Sequence, residues 1–253
     1  LGIVKEVLNP IIDHICGVTG LPREAVYIHS THTHTGPFLN PNPTNPLEIE
    51  YTQFVTRKFA DAAQLALADL KTAKMGYGIG DAPNIAFVRR FRMKDGSVRT
   101  NPGVDNPDIL HPIGDVDERV NVLRFDREGD SLVLVNFGNH PDVVGGTKIS
   151  ADWPGFLRST VEKVLDNTKC IFFNGAQGDV NHVNVHPRGG YLNDMFMDFD
   201  DVARGYKHAQ YMGRVVAGGV LQAYDKVKYV DVDSIRFAQK FIDVPANLPN
   251  ASE

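Results

Sequence analysis

The chain has 253 residues, 42% hydrophobic and 23% charged, the balance of a globular protein with a sizeable core rather than a disordered one. A net charge of −5 and a pI near 6.0 provide no global positive field to attract nucleic acid or an anionic membrane. No apolar run approaches the roughly 20 residues needed for a transmembrane helix.

The opening segment places Ile3, Val4, Val7, Leu8, Ile11, Ile12 and Ile15 on one helical face, and Gly17 and Gly20 mark its end. Ala25–Thr31 then reads as a strand, and the Pro/Asn-rich residues Pro37–Pro46 as a loop that can hold neither a helix nor a central strand. Leu47 to about Lys71 is an amphipathic helix with Phe54, Val55, Phe59, Ala62, Ala66 and Leu70 inward. Ile85–Met93 and Ser97–Thr100 flank Lys94-Asp95-Gly96, a hairpin signal. Val120–Phe125 and Leu132–Phe137 flank a charged turn and make a second hairpin. Pro154–Leu165 is helical, Cys170–Asn174 a short buried strand, and Asp201–Lys226 a long helix. In that helix region Ala203, Gly205, Ala209, Gly213 and Ala217 allow close backbone approach. Val227–Val244 closes the chain as one or two strands.

These elements predict an α/β (mixed) fold, with mixed β-sheets containing hairpins, flanked by long α-helices. There is no internal repeat and no clear linker. Cys16 and Cys170 lack metal-type spacing and read as buried free thiols. The start at Leu1 without a methionine, and the stop at Glu253, are expected of one catalytic-type domain, residues 1–253, taken from a longer protein, so localisation stays open.

Three apolar strands end abruptly in polar, glycine-flanked residues. Ala25–Thr31 leads into His32-Thr33-His34-Thr35-Gly36-Pro37, Leu132–Phe137 into Gly138-Asn139-His140-Pro141-Asp142, and Ile171–Phe173 into Asn174 through His182. Ligand sites in α/β proteins gather outside strand ends, where loops carry function on a rigid sheet. Residues two apart on a strand share a face, so His32 and His34 are expected side by side. One imidazole can then bind a metal while the other serves as acid, base or electrophile. His140 alone reads equally well as a core histidine capping a strand. Gly175–Asn181 lacks the lysine and spacing of a P-loop and reads as a tight turn.

The combination of His-Thr-His-Thr-Gly-Pro, Asn136–Pro141, Ser150-Ala-Asp-Trp-Pro-Gly155 and Gly178-Asp-Val180 resembles the neutral/alkaline non-lysosomal ceramidase family, most closely the catalytic domain of its shorter bacterial members. The resemblance runs from about residue 10 to about residue 225. It implies a zinc-dependent amide hydrolase in lipid metabolism, with His32 and His140 as metal ligands. His34 is then the catalytic histidine that polarises the scissile carbonyl or handles protons, and Arg89 the arginine that reaches into the site. Asp179 and Asn181 are the expected substrate contacts. The implied cofactor is Zn²⁺, and the implied partner a small-molecule amide or lipid-like substrate.

Two departures stand out. The family follows Gly-Asp-Val with Ser-Pro-Asn, whereas this chain has Asn181-His182-Val183, so a serine nucleophile there is excluded and zinc-activated water is favoured. The family's glutamate and tyrosine ligands have no counterpart in this sequence, so they are expected outside it, or replaced by Asp142, Asp152, His182 or His186. Phe38, Leu39, Met195, Phe196, Met197 and Phe199 are candidates to line an apolar groove or to pack as a satellite core. Three readings stand: an amide hydrolase of ceramide-like N-acyl substrates, a metal-dependent ester or phosphoester hydrolase, and an inactive binding or structural module.

Overall fold

The structure, a computed structural model, describes residues 2–186, 204–240 and 242–245. Helix α1 (Lys5–Thr19) ends at Gly20, whose left-handed φ of 72° turns its N–H onto the Cys16 carbonyl. Helix α2 (Pro46–Ala68) begins at Asn45, whose side-chain oxygen accepts the Leu47 N–H at 2.9 Å, with Pro46 in the first turn. Val7, Ile11, Ile12 and Ile15 of α1 meet Phe59 and Ala63 of α2, together with Val26 and Ile28, in a small core of their own. The inward set expected of α2 is corrected here. Phe54 and Leu70 are exposed and Ala60 is its one fully buried residue, because α2 packs chiefly on α1 alone.

In chain order the strands before the next helix are β1 (Ala73–Asp81), β2 (Phe87–Val88), β3 (Arg90–Met93), β4 (Val98–Thr100), β5 (Ile109–Pro112), β6 (Arg119–Arg127) and β7 (Asp130–Phe137). Then follow α3 (Asp152–Val164), β8 (Thr168–Asn174), β9 (Val180–Asn181), α4 (Tyr206–Tyr224) and β10 (Lys228–Val230). The main sheet runs β10-β1-β6-β7-β8, antiparallel except for the parallel β7–β8 pair that α3 connects. The fold is therefore mixed α/β. Both expected hairpins form, β3–β4 and β6–β7. The strand expected over 85–93 is broken at Arg89, because β2 pairs with β9 while β3 pairs with β4 and β5. Of 227–244 just Lys228–Val230 pairs among the described residues. Residues 26–31 are extended but join no sheet, correcting the strand expected there. Both cysteines are free, as expected, but only Cys170 is buried and Cys16 is half-buried. No described helix is long and apolar enough to cross a membrane.

Strand β1 was not legible in the sequence, for a physical reason. Its alternate residues Gly76, Gly78 and Gly80 have weak strand propensity, yet they face α4 and the chain just beyond it at Val227 and Tyr229. A Cβ on Gly78 would stand 3.2 Å from Ala223, and one on Gly80 would run into the Gly219 carbonyl. Glycine thus lets α4 lie directly on the sheet backbone. Helices α3 and α4 cover this face, over Val120, Val122, Val133, Val135, Cys170 and Phe172. Tyr77, Leu123, Leu134 and Ile171 form a cross-strand row on the other face, where Tyr77 and Ile171 are exposed.

The α3–α4 contact yields a paired test. A Cβ on Gly213 would lie 2.6 Å from both the Phe156 Cβ and the Trp153 carbonyl oxygen, groups fixed to the α3 backbone. Gly213→Ala should therefore lower stability by about 2 kcal/mol, overpacking outweighing the helix propensity gained. Gly218, in the same helix, has open space around its would-be Cβ, so Gly218→Ala should stabilise by up to ~1 kcal/mol. Urea denaturation of the two variants checks the opposite signs.

Candidate metal centre

The three polar segments meet at one place, and while the ends of β7 and β8 are neighbours in the sheet, the His32–Pro37 segment is joined to them without a ladder. Asn174, the last residue of β8, joins them through its side chain. Its Nδ2 donates to the Thr31 carbonyl at 3.2 Å and the Asn139 carbonyl at 3.1 Å, while its Oδ1 accepts the Asn139 N–H at 3.3 Å. The His34 N–H donates to the Pro141 carbonyl (3.1 Å) and the His140 N–H to the Val180 carbonyl (3.0 Å). Thr33 Oγ1 donates to the Ser150 carbonyl at 2.9 Å, and the Ser150 N–H donates to the Thr35 carbonyl at 3.3 Å. Asp152, buried and at a left-handed φ of 54°, accepts the Val144 and Trp153 N–H groups and closes the loop after Asp142. Burial raises the Asp152 carboxyl, and the two N–H bonds offset that only in part.

His32, His34 and His140 come together here. Each offers a ring nitrogen, and the three nitrogens lie within 4.8 Å of one another, the sole such group found among the described residues. Ring centroids are 4.7 Å apart for His32–His140, 5.2 Å for His34–His140 and 5.4 Å for His32–His34. The route to this geometry differs from the expected one. His32 has a φ of 70° and the following residues turn, so the two rings converge through a bent backbone rather than along one strand face. His140 is buried and its Nδ1 is 3.0 Å from the Gln177 carbonyl. A carbonyl only accepts, so Nδ1 carries the proton and Nε2 is left free to bind a cation.

Burial lowers the affinity of His32 and His34 for a proton. For His32 the charges of His140 and His34 add to this, and for His34 the Asp142 carboxylate opposes it. Neutral imidazoles with their nitrogens facing one another fit a borderline cation such as zinc. A groove of about 510 Å³ opens beside them, lined by His32, His34, Phe38, Leu39, Tyr51, Val55 and Phe59 among others. Met195, Phe196, Met197 and Phe199, also expected near the site, lie outside the described residues.

The remaining expected residues fall at different distances from this centre. Arg89 sits at the β2–β3 break, one residue from the Val88–Val180 pair whose carbonyl holds His140. It is half-buried, and its N–H donates to the Asp179 carbonyl. Asp179 forms an ion pair with Arg90 at 2.7 Å. Asn181 is buried, its Nδ2 donating to Asn101 Oδ1 and its Oδ1 accepting the Val183 N–H. Among the four in-chain substitutes considered for the missing ligands, Asp152 is turned to backbone N–H groups and His186 faces Asp105 at the surface. Asp142 and His182 pair with each other beside the cluster. Sequence reasoning missed the bridging role of Asn174, the Gln177 carbonyl and the buried His208. A strand-terminal asparagine is an ordinary turn signal, and nothing in its identity reveals partners more than thirty residues away.

No family model and no curated protein sequence matches the chain. Among solved structures it is similar to neutral ceramidase from Pseudomonas aeruginosa, with a TM-score of 0.62 and 17% identity over 88% of this chain and 35% of that one. A ceramidase complexed with C2 is similar to the same degree, with a TM-score of 0.62 and 16% identity over 88% and 34%. The chain thus shares their fold and spans about a third of their length.

Removing the Asn174 staple should loosen all three loops together. Asn174→Ala is expected to cost about 2 kcal/mol in thermal denaturation, and a change within about 0.5 kcal/mol would mean the loops hold without it. Acid should weaken the fold independently. Burial, and then the neighbouring His182, push the His208 imidazole down to about 4 from its usual 6.5. Below 6.5 the unfolded chain therefore holds more protons than the folded one, and stability is lost as the pH falls towards about 4. Between about pH 7.5 and pH 5 the urea midpoint should drop, His208 alone contributing on the order of 2 kcal/mol, and His208→Leu should flatten that dependence.

Proposed function

We propose that this chain is the metal-binding part of a zinc-dependent hydrolase that cleaves a linear amide of the N-acyl, ceramide-like type. The observation that carries this reading is the meeting of His32, His34 and His140 at the edge of a groove with an apolar wall. The fold shared with two ceramidases supports it. Zinc, when bound, polarises a carbonyl and lowers the pKa of its water to roughly 7.

The chain's own residues supply the rest. His140, buried and fixed in one tautomer, and His32, aimed by its left-handed backbone, would hold the cation. His34 is the exposed member of the three and borders the groove, so it can exchange protons with solvent and deliver one to the leaving amine nitrogen. Phe38, Leu39, Val55 and Phe59 exclude water from an acyl chain laid along the groove. Arg89 lies beside β9, whose Val180 carbonyl holds the His140 N–H, and would stabilise the developing oxyanion. Asp179 and Asn181 would border the substrate through the β9 segment that Arg90 and Asn101 hold in place. Water is the nucleophile in this scheme, since Asn181 stands where the resembling family has serine.

Metal analysis by mass spectrometry, with a panel of N-acyl amides and matched esters, tests the proposal. The wild type should carry about one zinc per chain. His32→Ala and His140→Ala should each lose it, and His34→Ala should keep it while turnover falls about 10²–10⁴-fold. Loss of zinc from His34→Ala would make that residue a third ligand. A wild type that takes up no zinc even when supplied with it would overturn the hydrolase reading, and turnover of the esters alone would replace the amide with an ester substrate.

A further inference from the structure

A second pair of histidines lies behind the cluster, and the chemistry above makes no use of it. His182 and His208 are both 2% exposed, with ring centroids 5.7 Å apart. His182 follows β9 directly, so the β2–β9 ladder fixes its backbone, and His208 stands in the first turn of α4. The Nδ1 of His182 is 3.1 Å from Asp142 Oδ1, and the two side chains are 1% and 13% exposed. An ionised carboxylate can only accept, so His182 Nδ1 is the donor. The other ring nitrogen, Nε2, is buried without a hydrogen-bond partner among the described residues, which leaves Asp142 as the group that holds this ring in place.

Asp142 in turn belongs to the cluster's surroundings. It follows His140 by two residues and its charge acts on His32, His34 and His140. Asp142 does not belong to the group whose ligand atoms lie within 4.8 Å of one another, so it stands outside the imidazole shell.

We propose that His182 is a positioning residue, one that holds the Asp142 carboxylate as a fixed anion beside the histidine cluster so that a divalent cation bound there is retained. This rests on the metal reading above. Neutral imidazoles bring no charge to offset a dication, and a partly buried carboxylate beside them does so at little reorganisation cost if its orientation is already set. Without the His182 donor, Asp142 is free to rotate away from the cluster towards water.

The test is zinc affinity of the whole chain, measured by chelator competition, with the cobalt(II) absorption spectrum as a second readout. His182→Leu and Asp142→Asn should each weaken zinc binding about 10–100-fold and shift the cobalt bands. The double variant should be no weaker than the worse single one. His182→Asn, whose Nδ2–H replaces the Nδ1 donor, should recover most of the affinity, which a merely space-filling role would not require. If His182→Leu fails to fold, Asp142→Asn and the His182→Asn rescue still decide the matter. Wild-type affinity in Asp142→Asn, or no difference between the Leu and Asn variants at 182, would overturn the positioning role while leaving the metal reading intact. Absence of zinc binding in the wild type would overturn both.

Discussion

The segment that carries His32 and His34 shares no strand ladder with the loops after β7 and β8, and the Asn174 side chain holds it to them. A backbone ladder repeats along a strand and tolerates local loss, whereas one amide with three partners has no redundancy. Around it, single hydrogen bonds between His34 and Pro141, Thr33 and Ser150, and His140 and Val180 complete the join. The sheet below is rigid because β6, β7 and β8 are paired along their length and packed against α3 and α4. The histidine cluster is therefore mounted on a stiff base by a small number of polar contacts.

That base depends on a close helix–sheet approach. Gly78 and Gly80 of β1 and Gly219 of α4 remove the side chains that would otherwise separate helix from sheet, and Gly213 does the same between α4 and α3. The residues between them, Val120, Val216 and Val220, are completely buried, so the missing glycine side chains leave a dense contact. Trp153, buried in the same core, packs on Phe137 and Phe172 and points its Nε1 towards the His140 carbonyl at 3.4 Å. Core packing and the position of a candidate ligand are thus linked through one side chain.

The electrostatics of the site follow from burial. Partial desolvation lowers the proton affinity of His32 and His34, which leaves their nitrogens available for a cation. The neighbouring anion, Asp142, is balanced on its other side by His182. The backbone strain at His32 and Asp152, both at left-handed φ, sits at either end of the same loop contact, where polar bonds over-determine the conformation. The groove adds an apolar wall beside this polar centre, the combination expected of a site for an amphiphilic substrate.

Much of this was open to sequence reasoning because it is local. The periodicity of α1, the helix after the Pro/Asn-rich loop, the two hairpins, α3 and β8 all follow from residues within a few positions of one another. The clustering of His32, His34 and His140 was likewise suggested by three strand ends of the same character. What the sequence could not decide depends on partners far along the chain. Strand β1 is hidden by glycines whose value appears only when α4 lies on them. Residues 26–31 look like a strand, yet they join no ladder, and their link to the edge strand β8 runs through Asn174, which meets His29 and Thr31. The Asp142–His182 pair joins residues forty positions apart, and neither has a local pattern that announces the other. The sequence by itself determined which short segments are helical, extended or turned, since those preferences are set by neighbours. Tertiary structure alone decided which polar side chains face one another, because that depends on how the layers stack and on which loop ends the stacking brings together.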